Sequence, residues 1–193
     1  ILNNDLFLKS KKYKNLLESL RLRVRKLYRN KEYKKILIWL DEVVFNEEQK
    51  HAVNDINNEI NKENFQSFLL HGVTGSGKTE IYIEAVRNCL LKDKTAIILL
   101  PEISLTPQIA GRFRAVFGDK IALWHSKLTP SQRSWTWKQI CKGDYKVVIG
   151  ARSAIFAPIK NLGLIVIDEE QETSFRQDSP EPRYHARDVA LVR

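Results

Sequence analysis

The sequence of 193 residues has little or none of two residue types, methionine and cysteine. It contains no methionine and only two cysteines, Cys89 and Cys141, which do not form a C-x-x-C pair. Zinc sites and redox motifs use closely spaced cysteines, so no zinc site can be assembled from these two. We expect both to be buried thiols in helices. Because an initiator methionine is also missing, we expect a processed or excised piece.

Long apolar segments are absent as well. No apolar run approaches the roughly 18 residues that a membrane-spanning helix needs. The start of the chain, Ile1 to Asp5, lacks the basic and apolar regions of a secretory signal. Hydrophobic residues make up 43% and charged residues 28% of the chain, which are values typical of a globular domain. We therefore expect a cytoplasmic protein with no membrane partner.

The positive charge of the chain is concentrated near its start. Between Lys9 and Lys35, twelve Lys or Arg residues stand against two glutamates, so the rest of the chain carries about −1 of the total charge of +9. Apolar residues recur there at helical spacing, which predicts a basic helical arm or linker over 1–44. Such an arm suits two roles that the sequence does not separate: neutralising nucleic-acid phosphates, or connecting two parts of a protein as a solvated segment.

A glycine-rich stretch, GVTGSGKT at 72–79, is a full match to the phosphate-binding pattern G-x-x-x-x-G-K-[ST]. An apolar run at 68–71 predicts a strand before it, and 80–91 predicts a helix after it. Glycines let the backbone N–H groups point at a phosphate beside the helix N-terminus. Lys78 would reach the β- and γ-phosphates, and the Thr79 hydroxyl would ligate Mg²⁺. The predicted nucleotide contacts are Gly72, Thr74, Gly75, Ser76, Gly77, Lys78, Thr79 and Glu80.

The region after the glycine-rich stretch alternates between strands and helices. Short apolar strands are predicted at 95–100, 121–124, 147–149 and 164–167, with helices at 104–117 and 131–141. Strands without polar alternation, separated by helices, predict an α/β domain with a mostly parallel sheet covered on both faces. Ligands of such sheets bind at the carboxyl ends of the strands.

Two further stretches complete the predicted nucleotide site. The strand at 164–167 runs into Asp168 and Glu169. Asp168 would hold the Mg²⁺ shell together with Thr79, and Glu169 would orient and deprotonate the attacking water. Upstream, Asn46 is predicted to cap a helix that carries Gln49, whose amide matches the hydrogen-bonding edge of adenine.

With these elements placed, residues 46–193 resemble the PriA family of bacterial replication-restart proteins (primosomal protein N′), which are superfamily 2 DNA helicases. The resemblance rests on the phosphate loop, PEISLTPQ at 101–108, His125-Ser126, GARSAIF at 150–156, DEE at 168–170 and RYHARD at 183–188. It implies the first RecA-like lobe of an ATP-dependent, 3′-to-5′ DNA translocase with Mg²⁺ as cofactor. Its partners would be single-stranded or forked DNA, the primosome and single-strand-binding proteins.

The resemblance also implies which residues contact DNA. Thr106, Gln108, Arg152 and Ser153 lie in stretches that resemble strand-holding segments. Residues 173–187 resemble an aromatic-rich, DNA-sensing loop in which Phe175, Arg183 and Tyr184 would stack on bases or contact phosphates. The residues by themselves leave other roles open: helix caps and turns for the first group, and a loop pinned by core aromatics for the second.

The sequence departs from the family pattern at two positions and leaves part of the pattern out. Gln171 stands where relatives usually have His, and Pro182 where many have an aromatic residue. The family continues with another strand between the phosphate-loop strand and the Asp-Glu strand, a second lobe and zinc-binding cysteines. We therefore expect 45–193 to be an incomplete lobe, weak or inactive as an ATPase alone, with zinc only downstream. The alternatives are another superfamily 2 translocase, a phosphate-loop ATPase or kinase not acting on DNA, and a silent binding module.

Overall fold

The computed structural model describes residues 45–73 and 75–193, without the side chains of Pro107 and Gln108. The predicted basic arm, 1–44, and Thr74 lie outside the described residues. The helices are α1 (Glu47–Lys62), α2 (Lys78–Leu91), α3 (Pro107–Phe117), α4 (Pro130–Lys142) and α5 (Ala186–Val192). The strands are β1 (Thr95–Leu99), β2 (Ile121–Trp124), β3 (Val147–Gly150), β4 (Leu162–Ile167), β5 (Arg176–Gln177) and β6 (Tyr184–His185). No helix in this described part is long and apolar enough to cross a bilayer.

The helices begin where the sequence supplies capping side chains. At α1, the Gln49 backbone N–H donates to Asn46 Oδ1 at 2.8 Å, and the Asn46 N–H donates to Gln49 Oε1 at 2.9 Å. This reciprocal pair satisfies two N–H groups that a helix start leaves without partners. The predicted cap at Asn46 is therefore confirmed, and it fixes the place of Gln49 in the first turn.

Four strands form one parallel sheet in the order β2-β3-β1-β4. β1 is central and fully buried, and its neighbours on both sides run in the same direction. A short antiparallel pair, β5-β6, forms a second sheet. The predicted α/β fold with a mostly parallel sheet is confirmed, and it brings the ends of β1, β3 and β4 to one edge.

Apolar side chains cover both faces of the sheet. Ile97 and Leu99 of β1 belong to a core cluster with Ile140 of α4 and with Ile155. The alternate residues of β1 pack on the other face, where the cluster includes Val86 of α2 and Phe113 of α3. Because side chains of a strand alternate between faces, each continuous apolar strand serves both clusters.

The strand predicted at 68–71 does not form. Phe68, Leu69, Leu70 and His71 have no strand assignment, and Leu69 is 80% exposed. β4 forms an edge of the described sheet, and all six of its residues are only half-buried. An apolar run becomes a strand only where a neighbouring strand pairs with its backbone groups. No described strand offers 68–71 such a neighbour.

Candidate nucleotide site and DNA-facing loops

The phosphate loop turns through two glycines with positive φ. Gly75 has φ +81° and Gly77 has φ +83°, a backbone region that favours glycine. A Cβ atom added at Gly77 would also lie 2.5 Å from Gln49 Nε2, so a side chain there would displace the Gln49 amide from the loop. Gly77 is the N-cap of α2 and supplies no capping side chain. The helix N-terminus therefore opens directly onto the loop, as an anion site requires.

Lys78 lies across this loop. Its ammonium donates to the carbonyl oxygens of Gly72, at 2.8 Å, and Val73, at 3.4 Å. The same Nζ atom lies 3.8 Å from Glu169 Oε1; the Lys78 side chain is largely buried and that of Glu169 is half-buried. The fold thus brings the phosphate-loop lysine and the predicted general base together.

The acidic pair lies at the carboxyl end of β4, beside the end of β1. The Asp168 backbone N–H donates to Leu99 O at 3.0 Å and continues the pairing of the two strands. Glu169 has φ +51° and turns the chain away from the strand. Its Oε2 accepts a hydrogen bond of 2.7 Å from Gln171 Nε2, so Gln171, which departs from the family pattern, directly contacts the predicted base.

Tyr82 is a residue of this site that sequence reasoning missed. Its hydroxyl donates to Asp168 Oδ1 at 3.0 Å. Burial and the nearby Asp168 charge raise the pKa of Tyr82 well above its usual range, so the hydroxyl keeps its proton. The available signal was its spacing, since a residue three positions after Thr79 lies on the same face of α2.

Two other predicted nucleotide contacts are engaged within the protein. Gln49 Nε2 donates to Ser76 O at 2.8 Å, so the amide already contacts the phosphate loop. The Glu80 carboxylate forms an ion pair with Arg112 of α3. Glu80 thus joins the phosphate-loop helix to α3 through a largely buried carboxylate, a contact that the glycine-rich pattern does not encode.

The residues predicted to hold the DNA strand begin or stabilise turns in this structure. Thr106 is the N-cap of α3, and its Oγ1 accepts a bond of 3.4 Å from the Ile109 N–H. Ser153 Oγ accepts a hydrogen bond of 3.2 Å from Trp124 Nε1. The side chain of Gln108 lies outside the described residues. The cap-and-turn alternative therefore has direct structural support at Thr106, and a hydroxyl that caps a helix can still contact a phosphate.

Arg152 links its turn to the segment that contains β5 and β6. Its guanidinium donates to Arg176 O and, at 3.0 Å, to Gln177 Oε1. It also lies 5.7 Å from the centroid of the Tyr184 ring, and that ring contacts Phe156 edge-on with centroids 4.9 Å apart. Arg152 and Tyr184, which were predicted separately, thus form one cluster.

The prediction that Phe175 stacks on a base needs correction. Phe175 has 0% exposure and belongs to the core cluster that contains Ile97 and Leu99. A fully buried ring offers no face to a base, so Phe175 pins the loop to the core. Arg183, in contrast, is exposed, and Tyr184 is half-buried. Of the loop residues predicted to contact DNA, these two remain accessible.

The chain is similar over most of its length to known proteins. A family model described as DEAD/DEAH box helicase matches residues 46–190. Replication restart protein PriA of Bacillus subtilis (strain 168) is 46% identical over 166 residues, which are 86% of this chain and 20% of that protein. PriA of Synechocystis sp. is 51% identical over 131 residues, which are 68% of this chain and 16% of that protein.

These similarities confirm the resemblance to PriA, although the chain spans only about a fifth of the length of these relatives. The matched segment contains the phosphate loop, the acidic pair and the loops that follow β1 and β3. Sequence similarity and fold therefore agree: the chain belongs to the DEAD/DEAH box helicase family.

Proposed function

We propose that residues 45–193 form the ATP-binding first lobe of a PriA-type DNA helicase, with 1–44 as a separate basic arm. The observation that carries this proposal is the approach of Lys78 Nζ to Glu169 Oε1 at 3.8 Å, between residues 91 positions apart. A phosphate loop facing a paired carboxylate is the arrangement that hydrolysis of a triphosphate requires.

The side chains around the loop suit this reaction. Lys78, now bonded to neutral carbonyl oxygens, would exchange them for the β- and γ-phosphate oxygens, which are charged and bind it more strongly. Glu169 would accept the proton of the water that attacks the γ-phosphorus. The Thr79 hydroxyl and the Asp168 carboxylate are oxygen donors of the kind that Mg²⁺ prefers, so the residues present fit this metal. Mg²⁺ would neutralise charge that develops on the phosphate oxygens.

DNA would bind along the loops at the carboxyl edge of the sheet. Arg152, Arg183 and Tyr184 combine positive charge with an aromatic ring, which suits single-stranded DNA. By analogy with the PriA relatives, the whole protein would translocate 3′-to-5′ at stalled forks in the bacterial cytoplasm. Its further partners would be primosome components and single-strand-binding proteins.

Nucleotide binding by the 193-residue chain tests the first part of this proposal. Lys78→Ala should weaken binding of a fluorescent ATP analogue by at least about tenfold, because it removes charge-assisted hydrogen bonds to phosphate. Lys62→Ala is the matched control, since Lys62 pairs with Glu59 on the surface of α1. Equal affinity of the Lys78→Ala variant and the unmodified chain would contradict a phosphate site at this loop.

ATP hydrolysis with and without single-stranded DNA tests the second part. Stimulation by DNA would distinguish a helicase lobe from a phosphate-loop kinase or small-molecule ATPase, which DNA should not affect. We expect turnover far below that of a two-lobed helicase, because the resemblance implies that a second lobe takes part in hydrolysis. Turnover equal to that of a two-lobed helicase would contradict this expectation.

A further inference from the structure

Tyr82 connects two parts of the nucleotide site that lie far apart in the sequence. It lies one helical turn after Thr79 in α2, and its hydroxyl donates to Asp168 Oδ1 at 3.0 Å. We propose that Tyr82 is a positioning residue for the Asp168 carboxylate: it holds Oδ1 and leaves Oδ2 for the metal that accompanies the triphosphate. This inference rests on the ATP site proposed above.

The backbone of Asp168 is already fixed, but its carboxylate needs a separate support. The hydrogen bond from the Asp168 N–H to Leu99 O, at 3.0 Å, anchors the main chain to β1. The carboxylate can still rotate about its side-chain torsions. Among the described residues, Tyr82 is the side chain that donates a hydrogen bond to it. A single donor on a fixed ring selects one orientation of the two oxygens.

The ring of Tyr82 is itself held in place by its helix. Ile81 and Ile83, on either side of it, are 3% and 5% exposed, so this turn of α2 is anchored in the core. The same helix begins with Lys78 and Thr79. Asp168 and Thr79 are the two predicted metal ligands. The hydrogen bond from Tyr82 therefore ties the Asp168 carboxylate to the helix that carries Thr79.

Tyr82→Phe separates positioning from packing, because it keeps the ring and removes only the donor. The measurement is the affinity of the 193-residue chain for a fluorescent ATP analogue, first in EDTA and then over a Mg²⁺ titration. We expect the EDTA affinity to change by less than about twofold. We expect the Mg²⁺ concentration for half of the metal-dependent tightening to rise by about threefold to tenfold, the range for one lost hydrogen bond.

Tyr145→Phe is the matched control. Tyr145 contacts Trp135 edge-on, with ring centroids 6.3 Å apart, and it precedes β3 at the amino-terminal edge of the sheet. Its Mg²⁺ titration should match that of the unmodified chain.

A second test combines Tyr82→Phe with Asp168→Asn. If Tyr82 acts through Asp168, the double variant should need the same Mg²⁺ concentration for half of the tightening as Asp168→Asn alone.

The outcomes separate this inference from the proposed function. Absence of Mg²⁺-dependent nucleotide binding by the unmodified chain would contradict the proposed function and remove this inference with it. Mg²⁺-dependent binding that is identical in the unmodified chain and in Tyr82→Phe would overturn the positioning role alone. Weaker binding in EDTA together with a lower melting temperature would also overturn it, since that result indicates a structural role for the hydroxyl.

Discussion

Arg152, which the sequence marks as a DNA contact, is already engaged by other residues of the protein. Arg152 donates to Gln177 Oε1 at 3.0 Å and lies over the ring of Tyr184. A DNA phosphate that approaches Arg152 must compete with these neutral partners, and an ionised phosphate is the stronger acceptor. Replacing these contacts would loosen the link between the turn at 152–156 and the β5–β6 segment. Arg152 and Tyr184 should therefore act as a pair.

Phe175 and Arg183 should separate stability from DNA binding within one loop. Phe175→Ala should lower the free energy of unfolding by about 3–5 kcal/mol, because Phe175 is fully buried. Arg183→Ala should change stability by less than about 0.5 kcal/mol, since Arg183 is exposed. It should also weaken single-stranded DNA binding and reduce its salt slope by about 0.7, as for one lost phosphate contact. Urea denaturation and a salt titration of DNA affinity measure these effects.

A milder variant checks the role given to Phe175. Phe175→Leu keeps an apolar side chain in the core but removes the aromatic ring. We expect it to bind DNA as the unmodified chain does. If this variant folds stably yet loses DNA affinity, the result would support base stacking by Phe175.

The two cysteines should differ in reactivity. Cys89 has 0% exposure, and burial raises the pKa of its thiol to about 11, whereas Cys141 is half-buried. Only the thiolate reacts readily, so at pH 8 a thiol reagent should modify one site quickly in the native chain. Cys141→Ser should abolish this fast reaction, and Cys89→Ser should preserve it. Fast modification that persists in Cys141→Ser would show that Cys89 is accessible.

The same thiol makes stability depend on alkaline pH. Because the folded state raises the pKa of Cys89 above its ordinary value of 9.0, the folded state favours the protonated thiol. This stabilising contribution is fully present below about pH 9 and is lost as the pH rises through about 11. The free energy of unfolding of the native chain should therefore fall over this range relative to a Cys89→Ala variant. Parallel pH profiles of the two proteins would contradict the shifted pKa.

At the scale of elements, α3 and α4 offer a matched comparison of helix caps. Both begin with Thr-Pro: Thr106 Oγ1 accepts from the Ile109 N–H, and Thr129 Oγ1 accepts from the Gln132 N–H. Thr106→Ala and Thr129→Ala should each lower the free energy of unfolding by about 1 kcal/mol, as loss of an N-cap does. Only Thr106→Ala should also weaken DNA binding. If both variants bind DNA normally, Thr106 is a cap and nothing more.

The ion pair between Glu80 and Arg112 joins α2 to α3 across the second face of the sheet. Glu80 lies two residues after the phosphate-binding Lys78, and the predicted DNA contact Thr106 caps α3. Arg112 is half-exposed, so solvent screens the pair and its contribution to stability should stay within about 1 kcal/mol. The pair nevertheless connects α2, which follows the phosphate loop, to α3, which follows the predicted DNA-binding loop.

For the whole molecule, nucleotide binding should appear as stabilisation. A ligand present at about 100 times its dissociation constant adds roughly 2.7 kcal/mol to the folded state. For a domain of this size, that corresponds to a rise in melting temperature of roughly 5–10 °C. ATP with Mg²⁺ should produce this rise in a thermal melt, and Lys78→Ala should nearly abolish it. An equal rise in both proteins would place the nucleotide elsewhere.

The edge of the sheet beside the phosphate loop limits the stability of the described part. β4 is half-buried, and Phe65 and Leu69 are 77% and 80% exposed before the loop. An open edge and exposed apolar side chains forgo burial that would stabilise the fold.

The sequence by itself determined the features whose causes are local. The glycines of the phosphate loop, the cap at Asn46 and the unalternating strands depend on residues within a few positions, so they were readable before any fold was known. Lys78 and Glu169 lie close together, although the strand that was predicted before the phosphate loop does not form. The run at 68–71 was misread because a strand also needs a neighbour.

Only the tertiary structure decided which side chains meet. Tyr82 and Asp168 are 86 positions apart, and the spacing of Tyr82 from Thr79 indicates its face of α2 but not its hydrogen-bond partner. The burial of Phe175 likewise depends on how its loop crosses the core, since an aromatic ring suits a core as well as a stacked base. Spacing along the chain specifies helices, strands and loops, whereas contacts between them arise from the packing of the whole domain.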